Sequence, residues 1–111
     1  MMGIAMILRA DTAKPEIHEF DGKVPPAAFR RKALGGEGEV IPHFRTVNRN
    51  GTIYSCIAFH RPGQGERNAM ATTLLRKSFE WQGRKIKQPL TLAGPVLILY
   101  GDDEFMKKVR A

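Results

Sequence analysis

The N-terminal part of the chain contains two short runs with the pattern of strands. Residues 1–10 place three apolar side chains on one face of an extended segment, Ile4, Met6 and Leu8. Residues 16–20 alternate in the same way after a short polar turn. Because successive side chains of a strand point to opposite faces, both segments are predicted to be strands that pair as a hairpin.

A helix is predicted over residues 26–34. Pro26 suits the first helical turn, where its missing N–H has no partner to lose, and Gly35-Gly36 suits a left-handed stop. The predicted buried side is formed by Ala27, Phe29 or Ala33, and Leu34. The predicted exposed side is formed by Arg30, Arg31 and Lys32.

The clearest turn signal is Asn50-Gly51, which separates two β-patterned runs, residues 40–49 and 52–60. This dipeptide favours the type I′ turn of a two-residue hairpin. In the resulting register, Arg49 is opposite Thr52, Val47 is opposite Tyr54 and Arg45 is opposite Cys56. The core is predicted on the other side of this hairpin, which carries Phe44, Ile53, Ile57 and Phe59.

The second half of the chain predicts two further helices and several strands. Asn68 suits the cap of a helix over residues 69–77. A second hairpin is predicted to turn at Gln82-Gly83, with Phe79 opposite Ile86 and Trp81 opposite Arg84. Residues 90–93 and 95–100 read as strands, and Val96 to Leu99 as a central one, because this run is apolar on both faces. A final helix is predicted after Asp102, with acids at its start and bases at its end.

These elements predict one α+β domain over residues 1–111. The order is β-β-α-β-β-α-β-β-β-α, with a mixed, mainly antiparallel sheet of hairpins and two or three short helices. The length suits a single hydrophobic core.

Composition narrows the class of protein. Eighteen Lys and Arg against eleven Asp and Glu give a net charge of +7, which favours polyanionic partners. A single cysteine, Cys56, allows no internal disulfide, and no run approaches the ~20 apolar residues that cross a bilayer. The N-terminal segment lacks a basic region and a cleavage motif of a signal peptide. We therefore expect a soluble, cytoplasmic protein without membrane contact.

The search for catalytic groups is mostly negative. Cys56 and His60 lie four residues apart in a predicted strand, which separates them by about 13 Å and is too far for a nucleophile–base pair. The three histidines, His18, His43 and His60, lack the spacing of metal ligands. The acids Asp102, Asp103 and Glu104 are explained by helix capping. No catalytic residue, metal or cofactor is predicted.

Two basic groups that include an aromatic residue are candidates for nucleic-acid binding. One lies on the exposed side of the first hairpin and consists of Arg45, Arg49 and Tyr54; the other lies on the second hairpin and consists of Trp81, Arg84, Lys85 and Lys87. Arginines around an aromatic on a sheet face can neutralise phosphates and stack a base. An ordinary solvated surface explains the same residues.

A glycine-rich loop before the predicted helix at Asn68 is a weaker candidate. Backbone N–H groups and a helix N-terminus can hold an anion, and the residues in question are Arg61, Gly63, Gly65, Arg67 and Asn68. No Lys-Ser or Lys-Thr completes a P-loop. If the protein is an enzyme, its site is expected near residues 60–68.

Several short motifs occur together in one order. They are Ala33-Leu34-Gly35-Gly36 with Glu39-Val40-Ile41-Pro42, Asn68-Ala69-Met70-Ala71-Thr72, Ala93-Gly94-Pro95-Val96-Leu97 and Gly101-Asp102-Asp103-Glu104. In this order they resemble a family of small domains from phages, plasmids and bacterial genomes, domain of unknown function 3846. The chain departs from its pattern at residues 61–65, where members usually carry an acidic stretch.

The resemblance implies a mobile-element context and a special position for Asn68, and it transfers no catalytic residue. It motivates an alternative function, a protein-interaction module that engages a host protein. Open sheet edges would also allow a homodimer. The partner, any sequence preference and the oligomeric state do not follow from the sequence.

Overall fold

The computed structural model describes residues 3–11, 14–20, 26–61, 65–83 and 91–110. Its elements are β1 (Gly3–Leu8), β2 (Glu16–Phe20), α1 (Pro26–Leu34), β3 (Glu39–Val40), β4 (Thr46–Arg49), β5 (Thr52–Ser55), β6 (Ile57–His60), α2 (Ala69–Trp81), β7 (Val96–Gly101) and α3 (Asp103–Arg110). The predicted α+β class with mainly antiparallel strands is confirmed.

Five strands form the central sheet in the order β2-β1-β7-β6-β3, and each neighbouring pair is antiparallel. The apolar run from Val96 to Leu99 forms the middle strand and is buried, as predicted. The predicted hairpin of β1 and β2 is also confirmed, with Met6 opposite Ile17. A strand buried on both faces can be apolar throughout, because it has no side that contacts water.

Both faces of this sheet are covered. Helices α1 and α3 pack on one face, over a core that includes Ala5, Ile7, Leu97, Leu99 and Phe105. Helix α2 and a separate two-stranded ribbon of β4 and β5 lie on the other face, over a core that includes Met6, Leu8, Val96, Ile98 and Tyr100. In the part of the chain that the structure describes, neither face of the central sheet is therefore left open.

Helix α1 has the predicted bounds, but its buried side differs in detail. Leu34 is buried as predicted, whereas Ala27 is exposed. Arg30, predicted to be exposed, is half-buried, and its guanidinium carbon lies 4.6 Å from the centre of the Phe59 ring. The predicted glycine stop is confirmed, because Gly35 has φ +74° and Gly36 N donates to Arg31 O at 2.9 Å.

The hairpin at Asn50-Gly51 is confirmed, although its strands are half the predicted length. Asn50 and Gly51 have φ of 52° and 86°, and Val47 opposes Tyr54 in the predicted register. After Cys56, however, the chain leaves the ribbon and continues as β6, which pairs with β7 and β3. Pairing with the central strand buries Phe59, which a longer ribbon would leave outside the sheet.

The prediction that Ile53 lies on the core side of the ribbon is wrong. Ile53 is 50% exposed, whereas Val47 on the opposite side is 1% exposed. Phe44 and Phe59 are buried as predicted, but they lie outside β4 and β5. The break at Cys56 explains the error, because it lets the ribbon turn its Val47 side toward the core.

The second predicted hairpin is wrong, because residues 79–81 are helical. Helix α2 continues to Trp81, four residues beyond its predicted end, and Gly83 follows with φ +68°. Its buried stripe of Ala71, Leu75 and Ser78 has helical spacing, which outweighs the local strand pattern. The opposing segment lies outside the described residues, and so does Leu90. Residues 91–95 form no strand apart from one bridge between Arg67 and Ala93.

Helix α3 confirms the capping interpretation of the last acidic cluster. Asp102 Oδ1 accepts a hydrogen bond from Phe105 N at 2.8 Å, and Phe105, Met106 and Val109 are buried. Among the described residues, no helix is long and apolar enough to cross a membrane.

Candidate nucleic-acid interface

The end of α2 is joined to the start of the ribbon by a buried serine. Ser78 is fully buried, and its hydroxyl oxygen accepts from Arg45 N at 3.2 Å and from Thr46 N at 3.1 Å. The hydroxyls of Ser78 and Thr46 are also hydrogen-bonded to each other at 3.0 Å. Two backbone donors of the ribbon are thus satisfied by one helical side chain, which holds the ribbon against α2.

Gln82, one helical turn after Ser78, connects the end of α2 to the segment just before the ribbon. Its side-chain nitrogen donates to His43 O and to Ser78 O, both at 3.0 Å. The segment from His43 to Thr46 therefore lies along the last turn of α2. This contact brings Arg45, from the first predicted basic group, close to the helix end that carries Trp81, from the second.

We call this surface the α2-end surface and define it by Arg45, Lys77, Trp81 and Gln82. Arg45 and Lys77 are exposed and Trp81 is half-buried. Trp81 lies three residues after Ser78, so it is a neighbour on the helix surface of the residue that contacts the ribbon. Lys77 was not among the predicted nucleic-acid-binding residues. The other predicted cations, Arg84, Lys85 and Lys87, follow Gly83 in the sequence and lie outside the described residues.

Of the remaining predicted residues, Arg49 lies at the tip of the ribbon and Tyr54 lies opposite Val47. The Tyr54 ring stacks on the Tyr100 ring with centres 5.0 Å apart and an angle of 28° between the planes. Burial raises the pKa of Tyr100, and the Arg49 guanidinium opposes this by favouring the ionised form. The net pKa is raised, so the Tyr100 hydroxyl stays protonated at neutral pH.

A cleft of about 570 Å³ separates the tip of the ribbon from the central sheet. Arg49 and Tyr54 line it from the ribbon, and Tyr100, Ile4 and Glu19 line it from the central sheet. The Nη1 nitrogen of Arg49 is buried and has no hydrogen-bond partner within the described part of the chain. A buried donor without an acceptor is unfavourable, and such groups often mark a place where a ligand supplies the acceptor.

Sequence reasoning missed Tyr100, Ile4 and Glu19 as residues of this cleft. Tyr100 closes the apolar run of β7, and nothing local indicates that Tyr54 stacks on it. The register places Glu19 beside Ile4 and Ile4 beside Tyr100 across three strands. Only the strand order, which is a property of the whole sheet, brings these residues into one row.

The predicted anion-binding loop is only partly described, and its central residue has a structural role. Asn68 is 1% exposed, and its side-chain nitrogen donates to Leu8 O and to Gly94 O, both at 2.8 Å. Its oxygen accepts from Ala71 N at 3.1 Å, as the predicted cap requires. Both amide hydrogens are therefore used inside the protein, and none is left for an anion.

The other residues of this loop are dispersed. Arg61 donates to Gly35 O at 3.0 Å, and Arg67 is exposed and bridges Ala93. Gly65 has φ +83° and lies so close to Gly94 that a Cβ atom would come within 2.8 Å of its backbone. Gly63 lies outside the described residues.

Burial shifts the pKa values of Cys56 and His60. Cys56 is buried, burial raises its pKa to about 12, and its thiol lies 3.8 Å from Phe44 O. Burial lowers the pKa of His60, which Glu39 partly opposes from the neighbouring strand. In the ranges that the structure covers, no three His, Cys, Asp or Glu side chains are grouped as metal ligands.

No family model matches the chain, and neither the curated proteins nor the solved structures include one that is similar to it. The resemblance to the phage and plasmid domains stays a prediction from short motifs. What the site can do is therefore argued from its own geometry and charge.

Proposed function

We propose that this is a small, non-enzymatic, basic protein that binds single-stranded nucleic acid through the α2-end surface. The observation that carries the proposal is the contact of Ser78 and Gln82 with residues 43–46, which puts Arg45 next to the end of α2. Without that contact, the two basic groups would be unrelated parts of the chain.

The chemistry of the surface suits a flexible strand better than a duplex. Arginine and lysine neutralise phosphates, and their binding releases counterions. An aromatic ring next to these cations can stack an unpaired base, as in many proteins that bind single strands. Arg45 and Lys77 supply the charge, Trp81 supplies the ring, and Arg84, Lys85 and Lys87 add three cations directly after it in sequence.

The decisive experiment is a salt titration of binding to labelled single-stranded oligonucleotides. We expect the affinity to fall steeply with salt, and the slope of log K against log salt to decrease by about 0.7 for each phosphate contact removed. The variants are Arg45→Gln and the triple change Arg84→Gln, Lys85→Gln and Lys87→Gln. Trp81 is the only tryptophan, so its fluorescence reports stacking directly.

The matched control is Lys107→Gln with Lys108→Gln on α3. These residues are exposed and lie on the other face of the sheet, and the charge changes by a comparable amount. The control is expected to bind like the wild type. Equal losses in both sets would mean that net charge alone attracts the strand, and no binding at low salt would refute the proposal.

The proposal includes a cytoplasmic location and a mobile-element context. The single cysteine suits a reducing compartment, and the resemblance to phage and plasmid domains supports the context. Fractionation of cells that express the tagged protein tests the location. A secreted or envelope-bound protein would contradict it.

A second candidate function, a module that binds a host protein, has one observation in its favour. Val40 is 57% exposed on β3, and Ile17 is 41% exposed on β2; these are the two edge strands of the sheet. Apolar residues on open edges can pair with another strand, from a partner or a second copy. Sedimentation analysis and a pull-down after nuclease treatment test this alternative, with Val40→Lys as the variant expected to abolish it.

A further inference from the structure

We infer that the cleft at the ribbon tip binds one unstacked guanine base of the strand held by the α2-end surface. The inference rests on the proposed function and adds a base preference to it. Three observations carry it: a buried arginine nitrogen without an acceptor among the described residues, a stacked pair of tyrosines, and a carboxylate two strands away from Tyr100 in the same row of the sheet.

The arginine side of the cleft requires an acceptor from the ligand. Arg49 Nη1 is buried and unpartnered among the described residues, and its guanidinium lies beside Tyr100. A guanidinium forms its best paired hydrogen bonds with two acceptors on one edge, and guanine offers N7 and O6 in that arrangement. Adenine offers only N7 there, next to an amino group that repels the arginine.

The Glu19 carboxylate can accept hydrogen bonds from donors of the ligand. Glu19 is exposed and lies two strands away from Tyr100, with Ile4 between them. Strand spacing separates the Glu19 and Tyr100 backbones by roughly 10 Å, so a flat ring can lie over Ile4 between them. Guanine presents the N1–H and N2–H donors on the edge away from N7, which suits a carboxylate.

The dimensions and the aromatic wall suit a nucleobase. The cleft volume of about 570 Å³ lies inside the range of roughly 300–1,000 Å³ for small-molecule sites. The Tyr54 ring stacks on Tyr100 and is 41% exposed. A flat ligand in the cleft can therefore contact it. Arg45 and Arg49 are four residues apart, or about 13 Å along an extended chain, so a strand on the α2-end surface can reach the cleft within a few nucleotides.

The test uses an oligo-thymidine strand with one central position varied. Guanine at this position is expected to bind about ten-fold more tightly than thymine, which is typical of one paired contact with a base edge. Hypoxanthine lacks the N2 amino group, and 7-deazaguanine lacks the N7 acceptor. Each is expected to lose most of the ten-fold gain.

Two variants assign the contacts. Arg49→Gln is expected to bind guanine and 7-deazaguanine equally, and Glu19→Gln is expected to bind guanine and hypoxanthine equally. Ile53→Ala is the matched control, because Ile53 is on the outward side of the same ribbon. A melting curve of each variant verifies the fold, and the analogue series on the wild type gives a result even if a variant does not fold.

The outcomes separate this inference from the proposed function. If strands bind in a salt-dependent way but all bases bind equally, the inferred guanine site is refuted, whereas strand binding by the α2-end surface is supported. If no strand binds, both are wrong. Arg45→Gln is expected to weaken all strands equally, which distinguishes a phosphate contact from a base contact.

Discussion

Both faces of the central sheet are covered by apolar packing, but the face under α2 and the ribbon also contains buried polar side chains. Under α1 and α3 the contacts are aromatic and aliphatic, as in the edge-to-face pair of Phe20 and Phe29 with ring centres 5.0 Å apart. On the other face, α2 and the ribbon are fixed by buried polar side chains, Asn68 and Ser78. A cleft lies on each face, one of about 570 Å³ at the ribbon tip and one of about 500 Å³ beside α1 that Ile7 and Phe29 help to line.

The polar contacts of Ser78 and Gln82 fix the ribbon against α2, and they therefore position the cleft at the ribbon tip. Hydrophobic burial is not directional, so it favours contacts that leave no gap. Hydrogen bonds hold two elements at one distance and angle, and space can remain next to them. Each prediction below changes one face or one side of an element, in order of decreasing effect on the free energy of unfolding.

Replacement of the buried amide on the α2 face is expected to have the largest effect. Asn68→Ala removes the helix cap and leaves the carbonyls of Leu8 and Gly94 without this donor. We expect the free energy of unfolding to fall by about 4 kcal/mol, measured by urea unfolding. Thr73→Ala, an exposed change on the same helix, should have almost no effect. A small loss for Asn68→Ala would mean that packing, not hydrogen bonding, holds this face.

On the α1–α3 face the strongest test is the addition of one methyl group. A Cβ atom at Gly3 would collide with the buried ring of Phe105. Gly3→Ala is expected to lower the free energy of unfolding by about 3 kcal/mol, and thermal unfolding measures it. The double variant Gly3→Ala with Phe105→Leu should recover part of the loss. Equal stability of Gly3→Ala and wild type would show that this face has free space.

The two sides of the ribbon are compared by Val47→Ala and Ile53→Ala. Val47 is buried against the α2 core and Ile53 is half-exposed, so we expect a loss of about 2 kcal/mol for the first and under about 0.5 kcal/mol for the second. Denaturant unfolding monitored by Trp81 fluorescence provides both values. A larger loss for Ile53→Ala than for Val47→Ala would mean that Ile53 lies on the core side of the ribbon, as predicted from the sequence.

The smallest expected effect is on the pH dependence of the free energy of unfolding. The group responsible is the Cys56 thiol, which is buried on the α2 face. Because burial raises its pKa to about 12 from a usual 9.0, the thiol is neutral in both states below pH 9. Between pH 9 and 12 the unfolded chain ionises first, so stability falls as pH rises. From pH 8 to pH 10 the wild type should lose roughly 1 kcal/mol more than Cys56→Ala. Parallel curves for the two proteins would mean that the thiol is accessible to water.

Local patterns predicted a large part of the fold correctly. The bounds of α1, the turn at Asn50-Gly51 and the caps at Asn68 and Asp102 depend on residues within one or two turns of each other. The second hairpin was wrong, since Phe79 to Trp81 pair well with residues 84–86 as strands but also continue the buried side of α2. Local propensity is a weak preference, and burial against the rest of the protein outweighs it.

For the site, the sequence supplied the residues but not their neighbours. Arg45, Arg49 and Tyr54 were selected because cations and an aromatic alternate along one strand pair. These three residues were expected to share one exposed side of the hairpin. They do not form one surface, because Tyr54 stacks on Tyr100 while Arg45 lies beside α2. Asn68 was selected correctly as special, but its partners Leu8 and Gly94 show a role in the fold.

The amino-acid sequence by itself determined the turns, the caps, the central strand and the positive charge, since each depends on the chemistry of near neighbours or on composition. Only the tertiary structure decided that the chain leaves the ribbon at Cys56, which side of the ribbon is buried, and that Glu19, Ile4 and Tyr100 form one row. These features arise from the competition of distant segments for the same buried surface. That competition is resolved only when the whole core forms.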